Sequence, residues 1–333
     1  MMCFLQISVH SPVCKVGRND KLDGISGQTV ILHCYKYFRM NRSRTRIAPT
    51  PSGFLHLGNV FSFAVTAALA EHTGAKTLLR IDDLDQHRVT PEYVQDIFDT
   101  LHFMGIPWQE GPADAEEYKT TYSQLHRMPL YEKALEQLQN NGQVFACACS
   151  RSQLAAAKPC VCKDIPLEQP GVSWRLRTDH STPLTVRTIS GATVETTLPL
   201  SMKDFVVKKK DGFPAYQLSS VADDGHYAVD LVVRGQDLWD STLAQLYLAR
   251  LLPGSPFPQT IFFHHPLLTD DPGRKLSKSA GDASIRFLRN EGRQPGDIYA
   301  SIAGKMGLHI TAGNYQELAA PVIEHALSGN GQT

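Results

Sequence analysis

The span from Thr45 to Ile81 constrains the fold more than any other part of the chain, because it sets three kinds of local order side by side. Thr45 to Ala48 reads as a short strand. It runs into Pro49-Thr50-Pro51-Ser52-Gly53, where proline and glycine interrupt regular structure. Leu57, Val60, Phe61, Ala64 and Ala68 then recur at the spacing of a helix with a buried face, up to a stop at Thr73-Gly74. Thr77 to Ile81 is the next strand. Parallel strands need a long crossover between them, so this strand-loop-helix-strand unit points to an α/β fold.

The same alternation returns further along. Thr90 is placed to cap a helix with Pro91 at its first position and Val94, Ile97, Phe98 and Leu101 on its inner face. Leu130 to Gln139 forms another, stopped by Asn140-Asn141-Gly142. From Gln143 to about Lys203 the pattern changes to clustered cysteines, proline-rich turns and alternating segments such as Ser173 to Arg177 and Thr193 to Thr197, which reads as an insertion. Strand-helix-strand order resumes with Val229 to Arg234, a helix from about Leu238 to Leu252 stopped by Pro253, and Thr260 to Phe263. Residues 1–39 show no sustained periodicity, although Gln28 to Tyr37 is β-prone; they are expected to be a non-native or disordered extension, with Met40 the real start.

Composition removes several classes of function. Thirty-three Lys and Arg balance thirty-three Asp and Glu in 333 residues, which excludes a protein acting through a global basic field and leaves room for a local nucleic-acid surface. The longest apolar runs, such as Phe63 to Ala70, fall far short of the ~20 residues of a membrane span. The N-terminus lacks the basic start and apolar core of a signal peptide, so a cytoplasmic location and no membrane partner are expected. Cys147, Cys149, Cys160 and Cys162 crowd together as a metal site would, while Cys3, Cys14 and Cys34 are scattered.

Two distant segments suit one job. His56-Leu57-Gly58-Asn59 stands at the head of the first long helix, where free N–H groups and partial positive charge favour a phosphate and Gly58 has no side chain to obstruct it. Lys275-Leu276-Ser277-Lys278-Ser279 follows the turn-forming Asp270-Asp271-Pro272-Gly273 and could close on a phosphate as charge develops. Either motif alone is weak. Together, in this order and setting, they resemble the two signatures of the class I aminoacyl-tRNA synthetases.

Flanking blocks narrow the resemblance to the glutamyl branch. Arg46-Ile-Ala-Pro-Thr-Pro-Ser-Gly-Phe-Leu-His-Leu-Gly-Asn, Leu79-Arg80-Ile81-Asp82-Asp83-Leu84-Asp85-Gln86-His87-Arg88, Phe213 to Leu218 with Asp223-Asp224, and Val232 to Leu238 occur in the right order between about Arg44 and Ser279. The resemblance implies a Rossmann-type parallel sheet split into residues 40–142 and 204–279, an inserted zinc-bearing α+β subdomain at 143–203, and a short helical region at 280–333 with no anticodon domain. It also implies glutamate-binding positions at Arg46, Ala48, Thr50, Asp82, Tyr216 and Arg234. Two guanidinium or hydroxyl anchors and an acid are what a substrate with two carboxylates and an ammonium requires. Asp82 stands where the family usually carries Glu. His56, Gly58, Asn59, Lys275 and Lys278 take the catalytic positions, with His56, Gly58 and Lys278 on ATP.

Only 54 residues follow the lysine motif, so the chain looks like the truncated paralogues of glutamyl-tRNA synthetase. The resemblance to these implies activation of L-glutamate by ATP with Mg2+, transfer to the queuosine base of tRNA(Asp), and a monomer. They place Cys-x-Cys, a tyrosine and a last cysteine near this point. Here no tyrosine lies between Cys149 and Cys162, and Cys160 is inferred to be the fourth ligand of one structural Zn2+ with Cys147, Cys149 and Cys162. Lys203, Lys208, Lys209 and Lys210 are candidate phosphate contacts. A glutamyl-tRNA synthetase fragment acting on tRNA(Glu), glutamate transfer to another acceptor, and a silent binding paralogue stay open.

Overall fold

The computed structural model describes residues 42–150, 153, 160, 162, 165–270, 274–275 and 284–328. The expected extension at 1–39, the start at Met40 and the site residue Lys278 lie outside them. Strand β1 (Arg44–Ile47), helix α1 (Leu57–Thr73) and strand β2 (Lys76–Leu79) form the expected unit, with β1 and β2 parallel in a register that pairs Arg44 with Lys76 and Ile47 with Leu79. Gly74 ends α1 at φ 77, a left-handed cap that glycine adopts without a Cβ clash. Helix α2 (Pro91–Met104) starts as expected: the Thr90 side chain accepts the Tyr93 N–H and Pro91 occupies the first turn.

Helix α3 (Met128–Asn140) leads into strands β3 (Val144–Cys147), β4 (Ser173–Leu176), β5 (Pro183–Thr188), β6 (Thr193–Thr197) and β7 (Val206–Lys208). Helix α4 (Tyr216–His226), β8 (Leu231–Gly235), helix α5 (Trp239–Arg250) and β9 (Ile261–His265) follow. The main sheet runs β6-β5-β9-β8, with β5, β9 and β8 parallel and β6 an antiparallel edge. Beside it, β1 lies against β8, and the Asp230 N–H donates to the Arg44 carbonyl at 3.1 Å.

Topology divides the span 143–203 between two sheets. β3 and β4 form an antiparallel sheet with β7, which starts beyond Lys203, whereas β5 joins β9 in parallel, pairing Arg187 with Ile261 and Thr188 with Phe262. The reason lies in the alternation of β5: Leu184, Val186 and Thr188 are buried while the residues between them are not, so one face must cover a core.

Strand β8 shows how the core is layered. Leu231 and Val233 point into a cluster with Val60, Phe61 and Ala64 of α1, while Val232 points into a second cluster with Leu243 and Leu246 of α5. Such two-sided burial produces a continuous apolar run, as expected of a parallel strand covered by helices on both faces. Among the described residues no helix is long and apolar enough to cross a membrane.

Among the described residues, three helices follow: α6 (Ile285–Asn290), α7 (Pro295–Lys305) and α8 (Tyr315–Leu327), the last packed along α1. Tyr299 of α7 is fully buried and donates its hydroxyl to the Met104 carbonyl at the end of α2, at 2.7 Å. Tyr299→Phe keeps the ring and leaves that carbonyl dry, so it should lower unfolding stability by about 1–2 kcal/mol, measured by urea titration. A midpoint equal to that of the unaltered protein would show that the bond contributes nothing.

Candidate active site

Several of the expected site residues, joined by Arg80, lie where strands end. Arg46 lies in β1, Thr50 follows it, Arg80 and Asp82 follow β2, and Arg234 is the penultimate residue of β8. Ligands of open α/β sheets bind outside the carboxyl ends of the strands, because loops diverge there and leave a crevice. A cleft of about 1080 Å3 opens at this edge, and Thr50, Asp82, Tyr216, Lys209 and Lys210 are among its walls. Arg46 and Arg234 are buried, at 7% and 4% exposure.

A pair of acids in α4 organises the floor. Asp223 and Asp224 are fully enclosed, in a helix whose pattern calls for apolar residues there. Asp224 Oδ1 accepts Arg80 Nη1 at 2.6 Å and Arg46 Nε at 3.2 Å, so one oxygen gathers guanidinium groups from β1 and from the end of β2. Arg80 grips Asp82 with both arms of its fork, at 2.7 and 3.0 Å. Asp223 accepts Arg127 Nε at 2.8 Å, Gln124 Nε2 at 2.8 Å and the Tyr131 hydroxyl at 2.7 Å. Burial pushes the Asp223 carboxyl up, but Arg127 and Arg80 outweigh it and hold it below the ordinary range; at Asp82 burial wins and the carboxyl is raised despite Arg80.

Arg234 is treated differently. Its Nη2 donates to Gln245 Oε1 at 2.9 Å and its guanidinium lies over the Phe262 ring at 5.4 Å, yet its Nε and Nη1 have no hydrogen-bond partner. Gln245 Nε2 is also unpartnered. Burial pulls this arginine down to about 10, and the nearby Arg46 charge adds to the effect. His264, at the end of β9, is pushed down to about 3 by burial and by Arg234, and its Nε2 lies 2.7 Å from the Thr242 hydroxyl.

The first signature is part of the helix start. His56 Nδ1 accepts the Gly58 N–H at 3.2 Å, and Asn59 Oδ1 accepts the His56 N–H at 3.0 Å, a reciprocal cap on α1. A Cβ on Gly58 would meet the His56 ring at 3.1 Å, so the glycine lets the imidazole lie over the first turn. The Ala48 backbone belongs to the loop leaving β1. Lys275 lies in a two-residue strand, Arg274–Lys275, paired with Thr269–Asp270.

Three of the four candidate lysines are engaged with the protein: Lys208 stands over the Trp174 ring at 4.4 Å, Lys209 bonds the Leu84 carbonyl and pairs with Asp85 and Asp211, and Lys210 donates to the Ala148 carbonyl at 2.6 Å. Lys203 is exposed.

The four cysteines converge. Their sulfurs all lie within 4.8 Å of one another, with Cys147–Cys160 at 3.6 Å, Cys149–Cys162 at 3.6 Å and Cys149–Cys160 at 3.9 Å. A tetrahedron of thiolates with metal–sulfur bonds of about 2.3 Å has edges of about 3.8 Å, so the donor set fits an ion of that kind. Cys149 and Ser150 also line the cleft.

Sequence reasoning missed Arg80, Arg127, Gln124 and Gln245 as parts of the site and did not assign a role to Asp223 and Asp224. The available signal was the acid pair itself, two carboxylates on the inner face of a helix, which demand cations from elsewhere. Asp224→Asn should therefore leave Arg46 and Arg80 short of charge and lower stability by roughly 3–5 kcal/mol in chemical denaturation. A loss below 1 kcal/mol would remove Asp224 as the anchor of both arginines.

The chain matches the family described as tRNA synthetases class I (E and Q), catalytic domain, over residues 42–164 and 167–318. It is 35% identical to the glutamyl-Q tRNA(Asp) synthetase of Prochlorococcus marinus (strain MIT 9313), covering 81% of this chain and 85% of that one. It is 33% identical to that of Rhodobacter capsulatus, covering 76% and 97%, and 32% identical to the glutamate–tRNA ligase of Dehalococcoides mccartyi, covering 77% and 54%. Among solved structures, the glutamate–tRNA synthetase of Elizabethkingia anophelis superposes with a TM-score of 0.66 at 20% identity, over 84% of this chain and 65% of that one, which speaks for the fold alone. The chain thus spans about two thirds of the length of that solved relative. An α/β core with charged residues gathered at its strand ends, and a family match across both halves of that core, lead to one assignment: the chain belongs to the class I tRNA synthetases of the glutamate and glutamine branch, and it is a ligase of the aminoacyl-tRNA synthetase type.

Proposed function

We propose that this enzyme activates L-glutamate with ATP and passes the glutamyl group to the queuosine base at the wobble position of tRNA(Asp). The observation that carries the first half is Arg234. An arginine buried without a carboxylate, with two N–H groups unpartnered and its charge already disfavoured, is a site that a substrate anion completes. Arg46 is held by Asp224 and the Val233 carbonyl, so it lends positive potential from a fixed position. Thr50, Asp82 and Tyr216 share the cleft wall, and Asp82, with its carboxylate oriented by Arg80, is the acid for the substrate ammonium.

In the activation step a glutamate carboxylate oxygen attacks the ATP α-phosphorus, the bond to the bridging oxygen breaks, and pyrophosphate leaves. His56 and the α1 start hold phosphate oxygens: with Nδ1 accepting the Gly58 N–H, the ring carries its proton on Nε2 and donates it to a nucleotide oxygen. Lys278, with Lys275 beside it in sequence, steadies the pyrophosphate, and Mg2+ neutralises phosphate charge when bound. In the transfer step a hydroxyl oxygen of the modified base attacks the glutamyl carbonyl carbon, AMP departs, and the hydroxyl proton is released. The names of the relatives from Prochlorococcus and Rhodobacter support the queuosine acceptor. The likeness to a glutamate–tRNA ligase supports a second reading, charging of the 3′ end of tRNA(Glu). Labelled glutamate incubated with ATP and tRNA, with and without queuosine, separates the two by the nucleotide that carries the label.

Lys278→Ala should slow glutamate-dependent pyrophosphate exchange by about 10²-fold or more at unchanged glutamate affinity. An unaltered exchange rate takes this lysine out of the reaction. The cysteine cluster is read as a structural zinc site that staples a small subdomain. Metal analysis should find about one zinc per chain, reduced in Cys149→Ser together with thermal stability; protein that is stable and metal-free refutes the zinc reading.

A further inference from the structure

The residue just before the α1 head is fastened on both sides. The Leu55 N–H donates to Asp96 Oδ2 at 2.9 Å, and the Leu55 carbonyl accepts the Ile285 N–H at 2.8 Å. All three residues are buried. Asp96 stands on the inner side of α2 between Val94 and Ile97, where the helix pattern favours an apolar side chain, and its Oδ1 has no hydrogen-bond partner. A carboxylate kept in such a place is costly unless its one bond matters.

Ile285 opens α6, the first helix after residues 276–283, so the same clamp reaches the chain that leaves the lysine motif. Two more contacts hold α6 there. The Arg286 guanidinium lies over the Phe54 ring at 4.7 Å, with Phe54 edge-on to Tyr93 of α2 at 5.0 Å, and Arg289 pairs with Asp99 of α2 at 3.3 Å. The segment entering His56 and the segment leaving the lysine motif are thereby tied to each other and to α2.

We propose that Asp96 is a positioning residue for nucleotide activation: by holding Leu55 it fixes the backbone from which His56 and the first turn of α1 meet the nucleotide. The inference rests on the function proposed above for what the nucleotide does, but not for the binding of the nucleotide. An apolar residue at 96 would fill the space and leave the Leu55 N–H dry, so the loop must shift to rehydrate it. Displacements of about 1 Å in a positioned group are enough to change rates by about 10²-fold.

The test uses the full chain with Asp96→Leu, which removes the acceptor, and Asp96→Asn, which retains an oxygen facing Leu55. Calorimetry with a non-hydrolysable ATP analogue should show roughly tenfold weaker nucleotide binding for Asp96→Leu and recovery to within about threefold for Asp96→Asn, while glutamate affinity stays within about twofold for both. The KM for ATP in pyrophosphate exchange should follow the same order. Unchanged nucleotide affinity in Asp96→Leu, equal losses for nucleotide and glutamate, or no recovery in Asp96→Asn would overturn the assignment. Where Asp96→Leu does not fold, the same contrast is read on Asp96→Ser, whose hydroxyl falls short of Leu55; failure of all three to fold would make Asp96 a structural residue and end the proposal. Unaltered protein that binds nucleotide and shows no glutamate-dependent exchange would defeat the proposed function and leave the role of Asp96 in nucleotide binding in place.

Discussion

Two adjacent carboxylates in the last turn of α4 hold together the elements that meet at the strand ends. Asp223 and Asp224 each lie at a point that hydrophobic burial alone would fill with leucine or valine. Instead they recruit Arg46 from β1, Arg80 from beyond β2 and Arg127 from the turn before α3, together with Tyr131 and Gln124. Charges taken out of water at this depth stay ionised only with close opposite charges and further hydrogen bonds. That requirement is directional, unlike apolar packing, so it fixes where three elements distant in sequence meet. The two apolar clusters supply bulk stability, and the ionic joint between elements supplies register.

The joint also explains the different states of the acids around it. Asp223 has guanidinium, amide and phenol partners and sits below the usual carboxylate range, whereas Asp82, with Arg80 alone against the burial it suffers, sits above it. Side chains of one type, a few ångströms apart, are thus set to different tasks by their partners. Asp223 is a permanent anchor. Asp82 stands on the cleft wall with Arg80 as its one cationic partner among the described residues.

The part of the fold written in local periodicity was legible from the residues. The first strand-helix-strand unit, the cap at Thr90 and the strands and helix around Arg234 lie within a residue or two of their expected ends, because apolar spacing and helix stops are properties of neighbours in sequence. The placement of Pro183–Thr188 was not legible: its alternation says that one face is buried but not against which sheet, and only the pairing with Ile261 and Phe262 decides that. The site divides along the same line. Arg46, Asp82 and Arg234 were named as candidates through the glutamyl resemblance, while Arg127, Gln124 and Gln245 join their surroundings through contacts spanning 11 to 99 positions, for which no local pattern exists. Likewise, His56 read as a phosphate ligand, and its second occupation as the cap of its own helix became visible only with the ring in place.

The contrast between Arg46 and Arg234 shows where stability is given up. Both are buried beside the same sheet edge, and a fold selected for stability alone would pair both or replace them with apolar residues. Arg46 is paired. Arg234 keeps one bond to Gln245 and an aromatic face, and two of its donors go without a partner. Moving Asp224 toward Arg234 would satisfy those donors but remove the counter-charge of Arg46 and Arg80, so the acids of α4 cannot serve all three cations at once. The two partnerless donors of Arg234 are therefore a consequence of the same joint that orders the strand ends, a cost in stability that the protein carries there.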